Sequence, residues 1–274
     1  MRIGTTSFIH PGSWLDNVQR LAPRFDDIEI LFFEADGVGA FPSAAECREL
    51  MREKQAYGLT YSLHTPLAAS LASEDEGRRR AGVESVLAAL DVARAFAPEN
   101  VVLHVYHGDA EHSDARPADL GGWRARARAS LSAIVDSGVA PERLCVELLD
   151  YDYALIEPVV NELGLSVALD VGHLVRDGLD ELAVLARLLP RTRIVQWHGT
   201  DASGRDHRSL EHYPRERGRA LLRALAERDY AGVLTLEVFR APDLERSCEV
   251  LASLLAERGQ RWPVSRGLPL RGPA

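Results

Sequence analysis

Val167-Ala168-Leu169-Asp170-Val171-Gly172-His173 reads as a short apolar strand that ends in an acid and a histidine, with Gly172 between them to let the backbone turn sharply. Such a strand would deliver two metal-binding groups at its C-terminal tip. One such tip is weak evidence, because a strand-end aspartate is more often a loop cap. Recurrence gives it weight. Seven more β-rich runs stand along the chain, at 2–8, 27–34, 60–65, 100–108, 143–150, 193–201 and 233–239, and with 166–173 they make eight. Most end in His, Asp or Glu.

Between these runs lie amphipathic stretches with helix-terminal signals. Ser43-Ala-Ala-Glu46 and Ser73-Glu-Asp-Glu76 match the capping-box pattern, and Gly58 and Gly164 sit where a left-handed C-terminal cap belongs. Leu182, Leu185, Ala186 and Leu189 fall on one helical face, as do Leu221, Leu222 and Leu225. Eight β-then-α units in 274 residues predict an α/β protein built as a single (β/α)8 TIM barrel over residues 1–258. A doubly wound open sheet is the runner-up, but it usually needs fewer strands, and no Gly-rich phosphate loop follows the first run. Residues 259–274 are too rich in Pro and Gly for another helix and are expected to cross the barrel bottom or hang loose.

Composition excludes several functional classes. The net charge of −9 argues against a protein that grips nucleic-acid backbone, work that clustered cations do. The cations are arginines apart from Lys54. No apolar run reaches the roughly 18 residues of a membrane helix, and the opening reads as a strand rather than a signal peptide, so a cytoplasmic location is expected. Cys47, Cys145 and Cys248 are scattered, without CxxC spacing, and are expected to fill the core rather than form disulfides or thiolate zinc sites.

In a barrel of this kind chemistry sits at the C-terminal strand ends. There the chain places His64, His104, Glu147, Asp170 with His173, His198 with Asp201, and Glu237. Period two puts Ser62, Val102, Cys145, Ala168, Gln196 and Thr235 beneath them, all small or medium. A lone His64 or His104 would more often be a satisfied core histidine. A carboxylate within a strand, such as Glu147 or Glu237, is harder to dismiss, because a buried unpaired charge demands a cation. Together these residues predict a metal site of imidazole and carboxylate, a donor set that suits zinc, manganese or iron. Glu147, Asp170, His198 and Glu237 would supply one octahedral ion, leaving His64, His104, His173 and His207. Eight candidates fit two or three ions, with Glu147 placed to bridge. Glu34, Tyr106, His107 and Trp197 are candidates for substrate contact, and Trp123 and Phe33 are further aromatics near strand ends.

The succession His64, His104, Glu147, Asp170-Val-Gly-His173, His198, Asp206-His207 and Glu237 resembles the xylose-isomerase-like barrel superfamily, which includes sugar isomerases and epimerases and the endonuclease IV-type phosphodiesterases. The quartet Glu147, Asp170, His198 and Glu237 is common to both branches. The resemblance to endonuclease IV-like members implies that His64, His104, His173 and His207 complete a trinuclear zinc site. One departure is that the endonuclease pattern has Asp-x-His on the seventh loop, where this chain has Arg205-Asp206-His207. More narrowly, the opening Ile3-Gly-Thr-Thr-Ser-Phe-Ile-His-Pro11 and the run Ile28-Glu-Ile-Leu-Phe-Phe-Glu34 look like the cobamide-remodelling phosphodiesterases. That likeness implies hydrolysis of the nucleotide-loop phosphodiester of B12-type cofactors, with Glu147 and Glu237 catalytic. The alternative is a metal-dependent sugar isomerase or epimerase in which Glu147 and Glu237 act as an acid/base pair on one ion.

Overall fold

A computed structural model describes residues 1–32, 41–106, 117–149, 151–260 and 262. Eight parallel strands close on themselves in sequence order. They are β1 (Arg2–Thr6), β2 (Asp27–Leu31), β3 (Thr60–His64), β4 (Asn100–Leu103), β5 (Leu144–Glu147), β6 (Ser166–Asp170), β7 (Thr192–Trp197) and β8 (Val233–Leu236). The pairing of Gly4 with Thr235 between β1 and β8 seals the barrel and excludes the open doubly wound sheet. Around it run α1 (Trp14–Leu21), α2 (Ala44–Tyr57), α3 (Glu76–Ala93), α4 (Leu120–Val135), α5 (Glu157–Glu162), α6 (Val171–Arg176), α7 (Glu181–Leu188), α8 (Arg215–Glu227) and α9 (Ala241–Ala256).

Local chemistry accounts for most helix ends. Ser43 and Glu46 exchange side-chain and backbone hydrogen bonds at the start of α2, and Gly58 ends that helix at a φ of 61°. The capping box expected at Ser73 and Glu76 does not form. Asp75 caps α3 instead, its carboxylate accepting from the Arg78 amide, while the Ser73 hydroxyl accepts from the amide of Asp75 itself. Gly164 adopts a φ of 68° just past α5.

Two apolar layers hold the barrel. The larger lies between strands and helices and includes Phe25, Tyr61, Phe96, Trp123 and Trp197 with the leucines of α7, α8 and α9. A smaller plug inside the barrel consists of Val102, Cys145, Ala168, Ile194 and Val233. Val102, Cys145 and Ala168 are the small residues expected beneath the polar site. The three cysteines are free and buried, as core fillers are. No helix among the described residues is long and apolar enough to cross a membrane. Of the Pro/Gly-rich tail only Gln260 and Trp262 are described beyond Gly259, and the Trp262 ring lies 5.4 Å from that of Phe25.

Several runs stop short of their expected ends because the strand tips turn to serve the site. The run expected to continue to His173 leaves strand geometry at Asp170, whose carboxylate accepts from the His173 amide at 2.9 Å and caps α6. Gly172 therefore lies in a helical turn rather than a sharp bend. Its lack of a side chain serves another purpose, since a Cβ there would stand 2.5 Å from the His198 ring.

Candidate metal centre

Six strand tips converge in one buried cluster. His64 and His104 both aim Nε2 at the same oxygen of Glu147, Oε2, at 3.3 and 3.0 Å. Each ring is held from behind, His64 by Nδ1 donating to the Thr65 carbonyl at 2.9 Å and His104 by its contact with the Tyr106 hydroxyl. Such outer hydrogen bonds fix tautomer and aim when an imidazole ligates a metal. Tyr106 thus stands at the site as the support of His104. Gln196 links the next pair of carboxylates, its amide nitrogen 3.4 Å from Glu147 Oε2 and 3.1 Å from Glu237 Oε1.

On the opposite wall Asp170 Oδ2 lies 3.2 Å from His198 Nε2 and 3.2 Å from His173 Nδ1. His207 approaches from the seventh loop, its ring stacked 4.2 Å from His198 and 4.7 Å from Phe239. The loop is clamped at its base by reciprocal backbone hydrogen bonds between Gly199 and Arg208. Asp201, named at the strand tip, turns away to pair with Arg205 and Arg208 and shapes that loop. Asp206 turns inward, with Oδ2 3.5 Å from His173 Nε2.

The electrostatics are those of a site short of positive charge. Glu147, Asp170 and Glu237 are buried, and among the described residues their only ion-pair partners are histidines. Burial pushes Glu147 up, but the charges and hydrogen bonds of His104 and His64 outweigh it and hold the carboxyl well below its usual range. Burial also opposes ionisation of Asp170, yet His173 and His198 bring its pKa down. Glu237 has no such relief: burial, then the negative charges of Asp170 and Glu147, push it well above the carboxylate range. Burial, then the charge of His198, lowers His207 to about 4, and burial lowers His104 too. Both stand ready as neutral imidazoles. For His173 burial is outweighed by Asp170 and Asp206, which raise it to about 9.

The residues fit divalent ions. Ligand atoms of His64, His104 and Glu147 lie within 4.8 Å of one another, and so do those of Glu147, Asp170 and His173, of Asp170, His198 and Glu237, and of His173, His198 and His207. These groups share members, so neighbouring ions would share ligands. Neither ring nitrogen of buried His173 meets a partner in hydrogen-bonding geometry, nor does Glu237 Oε2. All eight expected ligands are thus brought together.

The substrate-contact candidates fare differently. Trp197 is 1% exposed and packs outside the barrel, edge-on to Tyr213 and over Gly218, so the structure does not bring it to the cavity. Trp123 is likewise buried in the helix layer, donating to the Tyr106 carbonyl. Glu34, His107 and Phe33 lie outside the described residues. Attention to strand ends also missed Glu29, fully buried on β2 with both carboxylate oxygens unpartnered. Burial raises it to about 8, offset in part by His64 and reinforced by Glu147. Period two would have found it, since Asp27, Glu29 and Leu31 alternate with the apolar Ile28 and Ile30.

A family model described as a xylose isomerase-like TIM barrel matches residues 16–255. No curated protein matches the chain by sequence. Among solved structures, a D-tagatose 3-epimerase-like protein aligns with a TM-score of 0.74 at 21% identity, over 94% of this chain and 98% of its own. Endonuclease IV from Thermus thermophilus gives 0.71 at 21% identity, over 94% and 100%. A 3-keto-D-glucoside 4-epimerase from E. coli gives 0.69 at 18%, over 93% and 98%. At these identities the likeness is one of fold.

Proposed function

The chain belongs to the xylose isomerase-like TIM barrel family, and from that premise we propose that it is a divalent-metal-dependent phosphodiesterase whose cavity holds two or three ions. One observation carries this reading: His64 and His104 converge on Glu147 Oε2 at 3.3 and 3.0 Å, in addition to the group of Asp170, His198 and Glu237. A single ion would be satisfied by the quartet, and the two extra imidazoles, whose inward nitrogens both aim at Glu147, favour at least one more. Zinc suits the mixed imidazole and carboxylate donors, and manganese is compatible with them.

Divalent ions, when bound, neutralise the anionic oxygens of a phosphodiester and bring water into hydroxide form near neutral pH. The protein's part is positioning. Glu147, kept ionised by two histidines, presents one oxygen to both sides of the cluster. Glu237, with Oε1 anchored by Gln196 and Oε2 making no hydrogen bond, is placed to take up a proton beside the substrate. The substrate class is a cobamide, whose nucleotide-loop phosphodiester is cleaved by water to release the lower ligand. That choice is supported by the sequence resemblance of Ile3–Pro11 and Ile28–Glu34.

A second reading, a sugar isomerase or epimerase, is favoured by the epimerases among proteins of this fold. It is also favoured by Gln196 tying Glu147 to Glu237, a carboxylate pair able to face one carbon from two sides. The fold likenesses favour this reading, and the donor inventory favours the first. Metal counting by emission spectroscopy separates them. Two or more ions per chain, with adenosylcobalamin converted to a cobinamide and a ribazole species on chromatography, supports the phosphodiesterase. One ion, with a ketose or aldose interconverted by the same preparation, overturns it.

A further inference from the structure

We propose that the N-terminal face of the barrel, the end opposite the metal centre, carries a separate site for a small organic phosphate, whose oxyanion is held by Arg193 and Arg228, whatever reaction the metal centre performs.

A cavity of about 490 Å³ opens on that face, within the size range of small-molecule sites. It is bounded by strand beginnings, Arg2 of β1, Asn100 of β4 and Arg193 of β7, and by Gly232 just before β8. Ala186, Leu189 and Pro190 give it one apolar wall. The charged residues on the other walls differ in what already holds them. Arg2 is paired with Glu99, so those two charges cancel. Arg228 makes one contact, Nη1 donating to the Ala224 carbonyl at 3.3 Å. The Arg193 guanidinium has neither a hydrogen bond nor an ion pair among the described residues, and Asp229 is the one carboxylate on the walls that is not paired among them. Two guanidiniums then face one carboxylate, a local positive excess in a chain of net charge −9.

Cations on this face could serve only to satisfy carbonyls at the ends of helices and turns. Lys54 does so for Ala97, Arg143 for Pro98 and Glu99, and Arg191 for Leu165. Arg193 has no such duty. It stands at the second position of a strand, the one exposed residue of β7, and beside an apolar wall. A guanidinium fork matches the paired oxygens of an oxyanion. A carboxylate is filled by one fork, whereas a phosphate dianion has oxygens for two, and the wall of Ala186, Leu189 and Pro190 suits a hydrocarbon body attached to it.

The test uses the full chain stripped of metal by chelation, so that no ion attracts the probe, and titrates it calorimetrically with phenylphosphonate, whose carbon–phosphorus bond resists hydrolysis. One molecule per chain should bind, more tightly than inorganic phosphate or benzoate. Loss of a hydrogen bond to a charged group weakens binding about 10–100-fold, so Arg193→Met and Arg228→Met should each lose that much. Ala186→Glu, which adds a carboxylate at an exposed position of the apolar wall, should weaken it as well. All three variants should keep wild-type zinc affinity and a wild-type unfolding midpoint, since none touches the metal centre. Absence of saturable binding at millimolar phenylphosphonate overturns the proposal, as does wild-type affinity in both Arg193→Met and Ala186→Glu. Tighter binding of benzoate than of phenylphosphonate overturns the assignment to phosphate.

Discussion

Glu147 is the residue on which the two halves of the site meet, because its Oε2 faces His64, His104 and the amide of Gln196 at once. Glu147→Gln keeps that shape and removes the charge. Loss of an outer partner alone weakens metal binding about 10–100-fold, so loss of this central carboxylate should exceed about 100-fold in zinc affinity and abolish hydrolysis, with the unfolding midpoint of the stripped protein little changed. Turnover near wild type would remove Glu147 from the bridging role. Glu29 yields a prediction of opposite character. Burial raises it to about 8 from an ordinary 4.5, so the folded protein becomes relatively less stable as pH climbs through that interval, where the unfolded chain ionises freely and the folded one cannot. At 1.36 kcal/mol per unit, Glu29→Gln should stabilise the stripped protein by about 2–4 kcal/mol at pH 8 and by little at pH 5. Equal denaturant midpoints for mutant and wild type at pH 8 would show that the carboxyl is not held neutral.

At the scale of elements, the junction of β6 and α6 shows what the sequence could and could not say. Val167–Leu169 and the Asp170/His173 pair were legible as a strand delivering ligands to its tip, because period two and apolar residues are local signals. The start of α6 at Val171 was not, since it depends on the Asp170 carboxylate turning back to the His173 amide. All eight runs appear as strands for the same local reason, while their tips, Asp201 among them, are set by loop contacts that no periodicity encodes. Trp197 failed as a substrate contact because one residue of register places it on the outer face of β7, against Tyr213 and Gly218. Gly172 was legible as special, but its reason lies in another element, the His198 ring of the β7 tip. Gly172→Ala tests that reason by its sign. In a helical turn alanine is ordinarily favoured over glycine by about 1 kcal/mol. Here the added methyl would meet His198 at 2.5 Å, so the substitution should destabilise by about 1–3 kcal/mol, as overpacking does, and should weaken zinc binding. A higher denaturant midpoint than wild type would refute the packing role.

For the molecule as a whole, stability and chemistry occupy different layers. The apolar cluster between strands and helices, and the plug of Val102, Cys145, Ala168, Ile194 and Val233, lie apart from the ligands. The stripped protein should therefore still fold, and zinc should raise its melting temperature by mass action. That rise should depend on pH in a way the site dictates. His173 is raised to about 9 from 6.5, with burial outweighed by Asp170 and Asp206. In the stripped protein the stability this contributes, at most about 3 kcal/mol, is complete below pH 6.5 and lost as pH rises through 9. Glu237, raised by burial and by Asp170, acts in the same direction, since ionising it within the fold becomes harder to avoid as pH climbs. Zinc needs both groups deprotonated, so its affinity moves the other way and its binding expels protons. The zinc-loaded and stripped melting temperatures should thus diverge steadily from pH 6 to pH 9, and zinc added at pH 7.5 to stripped protein in weak buffer should release at least one proton per chain. A melting difference that is flat across that range, with no proton release, would mean that His173 and Glu237 are not among the groups that take the metal.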